Sequence, residues 1–190
     1  EYSQHAQVYA VLTNLKQGTA ARSLLEKALD REGIALCSFT QQYFLFRALE
    51  MCDAYDLTER QWPLWRNLMD KHLTTVPETP DGKSSPRSDC HAWSALPLFE
   101  FTHTLLGVNP TDYGWNGITV KPYVRSLQSC AGTVITPHGP VQVAWRHDQG
   151  RLHLDIDAPA GEALTVIWPD GSRESHPAGG PVKGSRPYTA

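Results

Sequence analysis

Glu78 is the carboxylate that its neighbours single out. It stands between Pro77 and Thr79-Pro80, so the backbone is restricted on both sides and does not easily join a helix. A stiff loop can aim a carboxylate with little entropy left to lose, as a general base or acid requires. A solvated loop glutamate is the ordinary alternative, because most glutamates are exposed. Ten residues later comes Ser88-Asp89-Cys90-His91-Ala92-Trp93. His91 and Trp93 together offer a hydrogen-bonding ring and an apolar plate. A sugar needs that pairing, with its hydroxyls bonded at the edge and its C–H face stacked on an aromatic. The same residues also read as a core tryptophan and a helix cap, with Asp89 as the capping side chain. His5, beside Gln4 and Gln7 on a helical stretch, is either a further substrate contact or part of an exposed polar face.

Other chemistries are poorly supported. The histidines show no His-x-x-x-His spacing and the four cysteines, Cys37, Cys52, Cys90 and Cys130, include no Cys-x-x-Cys. No metal site is expected from such spacings. A disulfide framework would need a shorter, Cys-denser chain, so four reduced and mostly buried thiols are expected. Neither a serine-nucleophile elbow nor a phosphate-binding glycine loop is present, and no cofactor is implied. A net charge of −3 without a clustered basic face argues against a nucleic-acid partner. No apolar run approaches the roughly 20 residues that span a bilayer, so no membrane partner is expected. The chain opens Glu1-Tyr2-Ser3-Gln4-His5, polar and without Met. That opening has no leader pattern and suggests a piece of a longer polypeptide, which leaves the compartment open.

The elements that must position these residues change character along the chain. Residues 3–15 place Val8, Val11, Leu12 and Leu15 on one helical stripe, with Gly18 as the stop. Residues 19–31 repeat the pattern with Leu24, Leu25, Ala28 and Leu29, ending at Gly33. Ser38 is the expected N-cap of a third helix, whose Tyr43, Phe44, Phe46 and Leu49 spread over a wide arc and imply burial on several sides. Thr58-Glu59-Arg60-Gln61 is a capping-box pattern for a fourth helix carrying Trp62, Trp65, Leu68 and Met69. Residues 74–90, with three prolines, form a long irregular loop of the kind that is often functional. A fifth helix is predicted over 92–106, ending at Gly107. The period then becomes two: Val141, Val143 and Trp145 alternate with polar or small residues, as do Leu152, Leu154 and Ile156. Turn signals follow at short intervals. Antiparallel helical hairpins, as in a bundle or an α/α toroid, thus precede a small antiparallel β-domain.

Several runs together resemble a known family. Ser-Gln-His-Ala-Gln-Val near the start, Phe-Arg-Ala-Leu-Glu with Tyr55-Asp56, Leu-Thr-Thr-Val-Pro-Glu, and Ser-Asp-Cys-His-Ala-Trp-Ser-Ala-Leu-Pro-Leu-Phe-Glu-Phe are similar to the C-terminal end of family 78 glycoside hydrolases, the bacterial α-L-rhamnosidases. Gly117-Ile118-Thr119-Val120-Lys121-Pro122 and Thr136-Pro137-His138-Gly139 resemble that family's passage into its C-terminal β-domain. The likeness covers nearly the whole chain and is most specific over residues 74–93.

The resemblance implies an α+β multidomain segment. Residues 1–108 would be the C-terminal half of an (α/α)6 catalytic barrel, and residues 109–190 a small antiparallel β-sandwich. It implies hydrolysis of terminal α-L-rhamnosides with inversion. Thr74-Thr75-Val76-Pro77-Glu78 matches the family's Thr-Thr-x-x-Glu segment, giving Glu78 the general-base role. His91 becomes a ligand of a rhamnose hydroxyl, with Trp93 and His5 as further substrate contacts. Pro77 stands where many members have Trp, and Cys90 where they have Asn, which bears on substrate preference. The general acid would come from an earlier part of the barrel, since Glu26, Glu32, Glu50, Glu59 and Glu100 all fall on predicted helices. The expected partners are a rhamnose-containing glycoside or oligosaccharide and the remainder of the parent polypeptide. The chain alone is expected to be inactive. The alternative is a non-catalytic sugar-binding or assembly module.

Overall fold

The computed structural model describes residues 2–79, 88–125 and 127–189. The chain forms two units, 1–96 and 97–190.

In the first unit Ser3 opens α1 (Gln4–Leu12), its hydroxyl accepting the Ala6 N–H at 3.2 Å. This is an N-cap, which satisfies one of the amides that a helix start leaves unpaired. Val8 and Val11 are buried, as their spacing predicts, and so are Gln4 and Gln7. The glutamines therefore do not form an exposed polar face. Gln4 donates from Nε2 to the Ala28 carbonyl at 3.2 Å and accepts the Cys37 amide at 2.8 Å. A polar side chain belongs in the core here because backbone groups there need partners. Gly18 is not the stop of α1. Asn14 turns left-handed at φ 61°, and Gly18 instead starts α2 (Gly18–Asp30).

The third helix, α3 (Phe39–Met51), buries Phe39, Gln42, Leu45, Phe46, Ala48 and Leu49. The wide arc expected from sequence is present, although Tyr43 is exposed. Ser38 occupies the N-cap position without a side-chain capping bond. The capping box at Thr58 does not form. Residues Tyr55–Arg60 make a 3-10 turn in which the Thr58 hydroxyl donates back to the Tyr55 carbonyl at 2.7 Å. Pro63 then takes the first position of α4 (Pro63–Asp70), where its missing N–H costs nothing. Phe39, Phe46, Tyr55, Trp62 and Trp65 pack as one aromatic cluster, with ring centroids 5.1–6.2 Å apart.

The continuous helix expected over 92–106 is broken into three. A 3-10 turn (Ala92–Ala95) leads into α5 (Leu96–Glu100), followed by one π-helical turn (Phe101–Leu105). Pro97 accounts for the first break: inside a single helix it would remove an amide donor and clash with the preceding turn.

Among the described residues the second unit holds eight strands in two sheets. One sheet has the order β1 (Val108–Pro110), β2 (Ile118–Val120), β6 (Leu164–Ile167), β7 (Arg173–His176). The other has the order β3 (Ser129–Thr136), β4 (Gly139–Asp148), β5 (Arg151–Ala158), β8 (Gly180–Pro187). The second sheet is antiparallel throughout, with Val143 opposite Ile156 and Trp145 opposite Leu154. The first is not, because β2 and β6 pair in parallel, Ile118 opposite Leu164. The wholly antiparallel module read from the sequence is corrected at that pair. Val141, Val143, Trp145, Leu152, Leu154 and Ile156 face inward as the period of two requires, and one buried cluster joins residues of both sheets.

Gly107 and Gly184 are among the glycines that close approach calls for. Gly107 has φ +77°, and a Cβ there would lie 2.1 Å from the Lys121 carbonyl group. At Gly184 a Cβ would meet the Trp168 ring at 2.8 Å.

Candidate functional site

Glu78, half-buried, lies in an irregular segment that pairs with residues 88–91 of the same unit. Its amide donates to the Ser88 carbonyl at 2.9 Å, and the His91 amide donates to the Val76 carbonyl at 2.8 Å. The Thr75 hydroxyl donates to the Asp89 carbonyl, and the Ser94 hydroxyl to the carbonyl of buried Pro77. Ties of this kind hold an irregular backbone that has no helix or sheet ladder of its own. Pro80, the other flank proposed for Glu78, lies outside the described residues, as do residues 80–87 of the expected loop.

His91 and Trp93 are brought together as the sugar-platform reading requires. Their ring centroids are 4.4 Å apart at an interplanar angle of 41°. Trp93 is 47% exposed, so it is not the core tryptophan of the alternative reading. The His91 Nδ1 is buried and has no hydrogen-bond partner among the described residues. Asp89 does not cap the next helical turn: His91 occupies the N-cap position, with no side-chain capping bond. His5 is half-buried on α1. Among the described residues no hydrogen bond or ion pair links its side chain to Glu78, His91 or Trp93.

Among the described residues, the other carboxylates of this unit are paired with arginine or exposed. Asp56 forms a two-pronged pair with Arg22, at 2.9 and 2.7 Å. That hydrogen bonding raises the arginine above its ordinary range. Arg60 holds Asp30 at 2.6 Å and Glu26 at 3.5 Å, and Arg47 holds Glu50 at 2.7 Å. Glu32 and Glu59 are exposed. The cysteines are all free, but Cys90 is exposed and Cys130 only half-buried. Burial pushes the Cys37 thiol up to about 12 and raises Cys52 and Cys130 as well. None of these three is an activated nucleophile. Among the described residues no cluster of His, Cys, Asp and Glu is arranged to hold a metal. Among the described residues no helix is long and apolar enough to cross a membrane.

Ser94, Ser88 and Thr75 were not singled out by sequence reasoning. Their hydroxyls and carbonyls act on the backbone beside Glu78 and His91, which their residue types alone do not announce.

Residues 107–182 match the family model described as the bacterial alpha-L-rhamnosidase C-terminal domain. Over this stretch the chain is similar to that C-terminal domain. The likeness to rhamnosidases continues through both units. A family 78 rhamnosidase of Bacillus sp. GL1 is 28% identical, with a TM-score of 0.75 over 90% of this chain and 19% of its own. The Streptomyces avermitilis α-L-rhamnosidase, solved with L-rhamnose, gives a TM-score of 0.80 at 19% identity, over 96% of this chain and 21% of its own. The Aspergillus terreus α-L-rhamnosidase gives 0.79 at 19% identity, over 96% of this chain and 24% of its own. At 19% identity the likeness speaks to the fold. No curated protein matches the chain. The chain thus spans about a quarter or less of these rhamnosidases and corresponds to a segment of the larger enzyme.

Proposed function

We propose that this rhamnosidase segment supplies the general base, Glu78, to an inverting glycosidase that releases terminal α-L-rhamnose. The observation that carries the reading is the pairing of the Glu78 segment with residues 88–91, which ties the carboxylate's backbone to that of His91. In this reading residues 1–108 form the second half of an (α/α)6 barrel and residues 109–190 an appended β-sandwich. The substrate partner is a rhamnose-containing glycoside, and the other protein partner is the remainder of the polypeptide.

Inversion needs two carboxyl groups roughly 6.5–9.5 Å apart, with a water on the face opposite the leaving group. Glu78 accepts a proton from that water as its oxygen attacks the anomeric carbon. The leaving oxygen is protonated by an acid from outside this chain, in keeping with the arginine pairing of Glu26, Asp30, Glu50 and Asp56, the exposure of Glu32 and Glu59, and the full burial of Glu100, which accepts the Thr104 hydroxyl at 2.8 Å. His91 binds a sugar hydroxyl, and the Trp93 face covers the ring. His5 is assigned as a further contact on α1.

The test is a panel of aryl glycosides offered to the enzyme that contains this chain, with the first-formed sugar followed by proton NMR. Cleavage of the aryl α-L-rhamnoside with β-L-rhamnose appearing first is expected, and no turnover by the 190-residue chain alone. Appearance of the α anomer first, or robust hydrolysis by the chain alone, would sink these roles.

A further inference from the structure

We propose that Ser94 is a positioning residue for Glu78, holding the peptide group from which the carboxylate side chain extends. The inference rests on Glu78 being the general base and adds how that base is held.

The peptide group between Pro77 and Glu78 is gripped at both edges. Its carbonyl accepts the Ser94 hydroxyl, and its amide donates to the Ser88 carbonyl at 2.9 Å. The proline ring removes most of the freedom on the preceding side. With this plane fixed, the Cα of Glu78 is held in place, and only its φ and side-chain torsions remain to move the carboxylate.

Ser94 can act as a fixed point because it is itself immobilised. It is 0% exposed, and its amide donates to the His91 carbonyl at 3.1 Å. Its own carbonyl accepts the Trp65 indole N–H at 2.7 Å. Trp65 is 7% exposed and lies in the aromatic cluster of α3 and α4. A chain of contacts therefore runs from the packed aromatics through Ser94 to the peptide that carries the base. The same serine sits one residue past Trp93, so the plate and the base share one anchor.

Removing the Ser94 hydroxyl frees one edge of the plane and lets the carboxylate sample directions away from the attacking water. Misplacement of a reacting group by about 1 Å costs on the order of a hundredfold in rate. Sugar binding through His91 and Trp93 does not depend on that direction. The signature is therefore a lower kcat at nearly constant KM with rates referred to the folded fraction measured by circular dichroism, since loss of folded enzyme alone would also lower the apparent kcat.

The experiment uses the full enzyme and an aryl α-L-rhamnoside. Ser94→Ala is compared with Thr136→Val, which removes a hydroxyl-to-carbonyl bond of 2.8 Å in the other unit, and with Glu78→Gln. Ser94→Ala should lower kcat about 10- to 100-fold with KM within about twofold, Thr136→Val should leave kcat unchanged, and Glu78→Gln should be inactive. If Ser94→Ala does not fold, Thr75→Val takes its place, since it removes the neighbouring tie to Asp89 at an exposed position. It should show the same kcat loss at constant KM. An inactive Glu78→Gln with unchanged kcat in the folded clamp variant, or with the loss appearing in KM, overturns the positioning role alone. Turnover by Glu78→Gln overturns the base assignment and the positioning role with it.

Discussion

Gln4→Met should be far more damaging than its surface-like residue type suggests. The Gln4 side chain is 3% exposed and makes two hydrogen bonds, to the Ala28 carbonyl at 3.2 Å and from the Cys37 amide at 2.8 Å. Ala28 is in the last turn of α2 (Gly18–Asp30), where carbonyls have no intrahelical partner. Cys37 precedes the first turn of α3 and is 4% exposed. One amide thus caps the end of one helix and satisfies the approach to another. Methionine matches the glutamine in length and volume, so little packing is lost, but a carbonyl and an N–H are left buried without partners. Each stranded group costs about 1–3 kcal/mol, and the two together about 2–6 kcal/mol. Gln7→Met is the control, since Gln7 donates only to the Ser3 carbonyl at 3.3 Å. That carbonyl retains its place at the helix start, and the loss should stay under about 1 kcal/mol. Urea unfolding followed at 222 nm, where the helices of the first unit dominate, gives both values. If Gln4→Met lies within about 0.5 kcal/mol of Gln7→Met, the bridging role is wrong.

Further perturbations follow from burial and close packing. Burial holds the Cys37 thiol at about 12 from an ordinary 9.0, so the folded state keeps a proton that the unfolded state loses. The resulting stability is present below about pH 9 and is lost as pH rises toward 12, by up to about 1.4 kcal/mol per pH unit. Denaturation of wild type and Cys37→Ala between those limits should show a steeper alkaline loss in wild type, and parallel curves would refute it. Under native conditions a thiol reagent should label exposed Cys90 first and reach Cys37 and Cys52 only with unfolding; labelling of all at one rate would contradict their burial. Gly184→Ala should cost about 1–3 kcal/mol, because a Cβ would sit 2.8 Å from the Trp168 ring. An unchanged unfolding midpoint would show that the ring yields freely.

The second antiparallel sheet was the most legible part of the fold. Val141, Val143 and Trp145, then Leu152, Leu154 and Ile156, alternate because a strand with one buried face must, and they are buried as that period demands. The parallel pairing of β2 with β6 was not legible: strands of three and four residues, more than 40 positions apart, carry too short a pattern to declare a partner. Helix positions were largely readable, but their ends were decided by side chains that bonded elsewhere. Thr58 turned back to Tyr55 instead of capping forward, and Pro97 split what its apolar neighbours alone would make one helix. In the candidate site the proximity of His91 and Trp93 followed from their spacing, as did the isolation of Glu78 from helices. The grip of Ser94 on Pro77 did not, because a buried serine differs from an exposed one only through what the fold places opposite it. Gln4 misled for a related reason: the end of α2 left an acceptor in the core that its side chain then filled.

The central claim is that Glu78 is the base of a rhamnoside-cleaving pair, and Glu78→Gln in the full enzyme tests it most directly. The amide keeps the shape of the side chain and its backbone ties but cannot take a proton from water at neutral pH. Turnover of an aryl α-L-rhamnoside should fall by at least about a hundredfold, while L-rhamnose still binds with close to wild-type affinity by calorimetry. Turnover close to wild type in that variant would contradict the assignment.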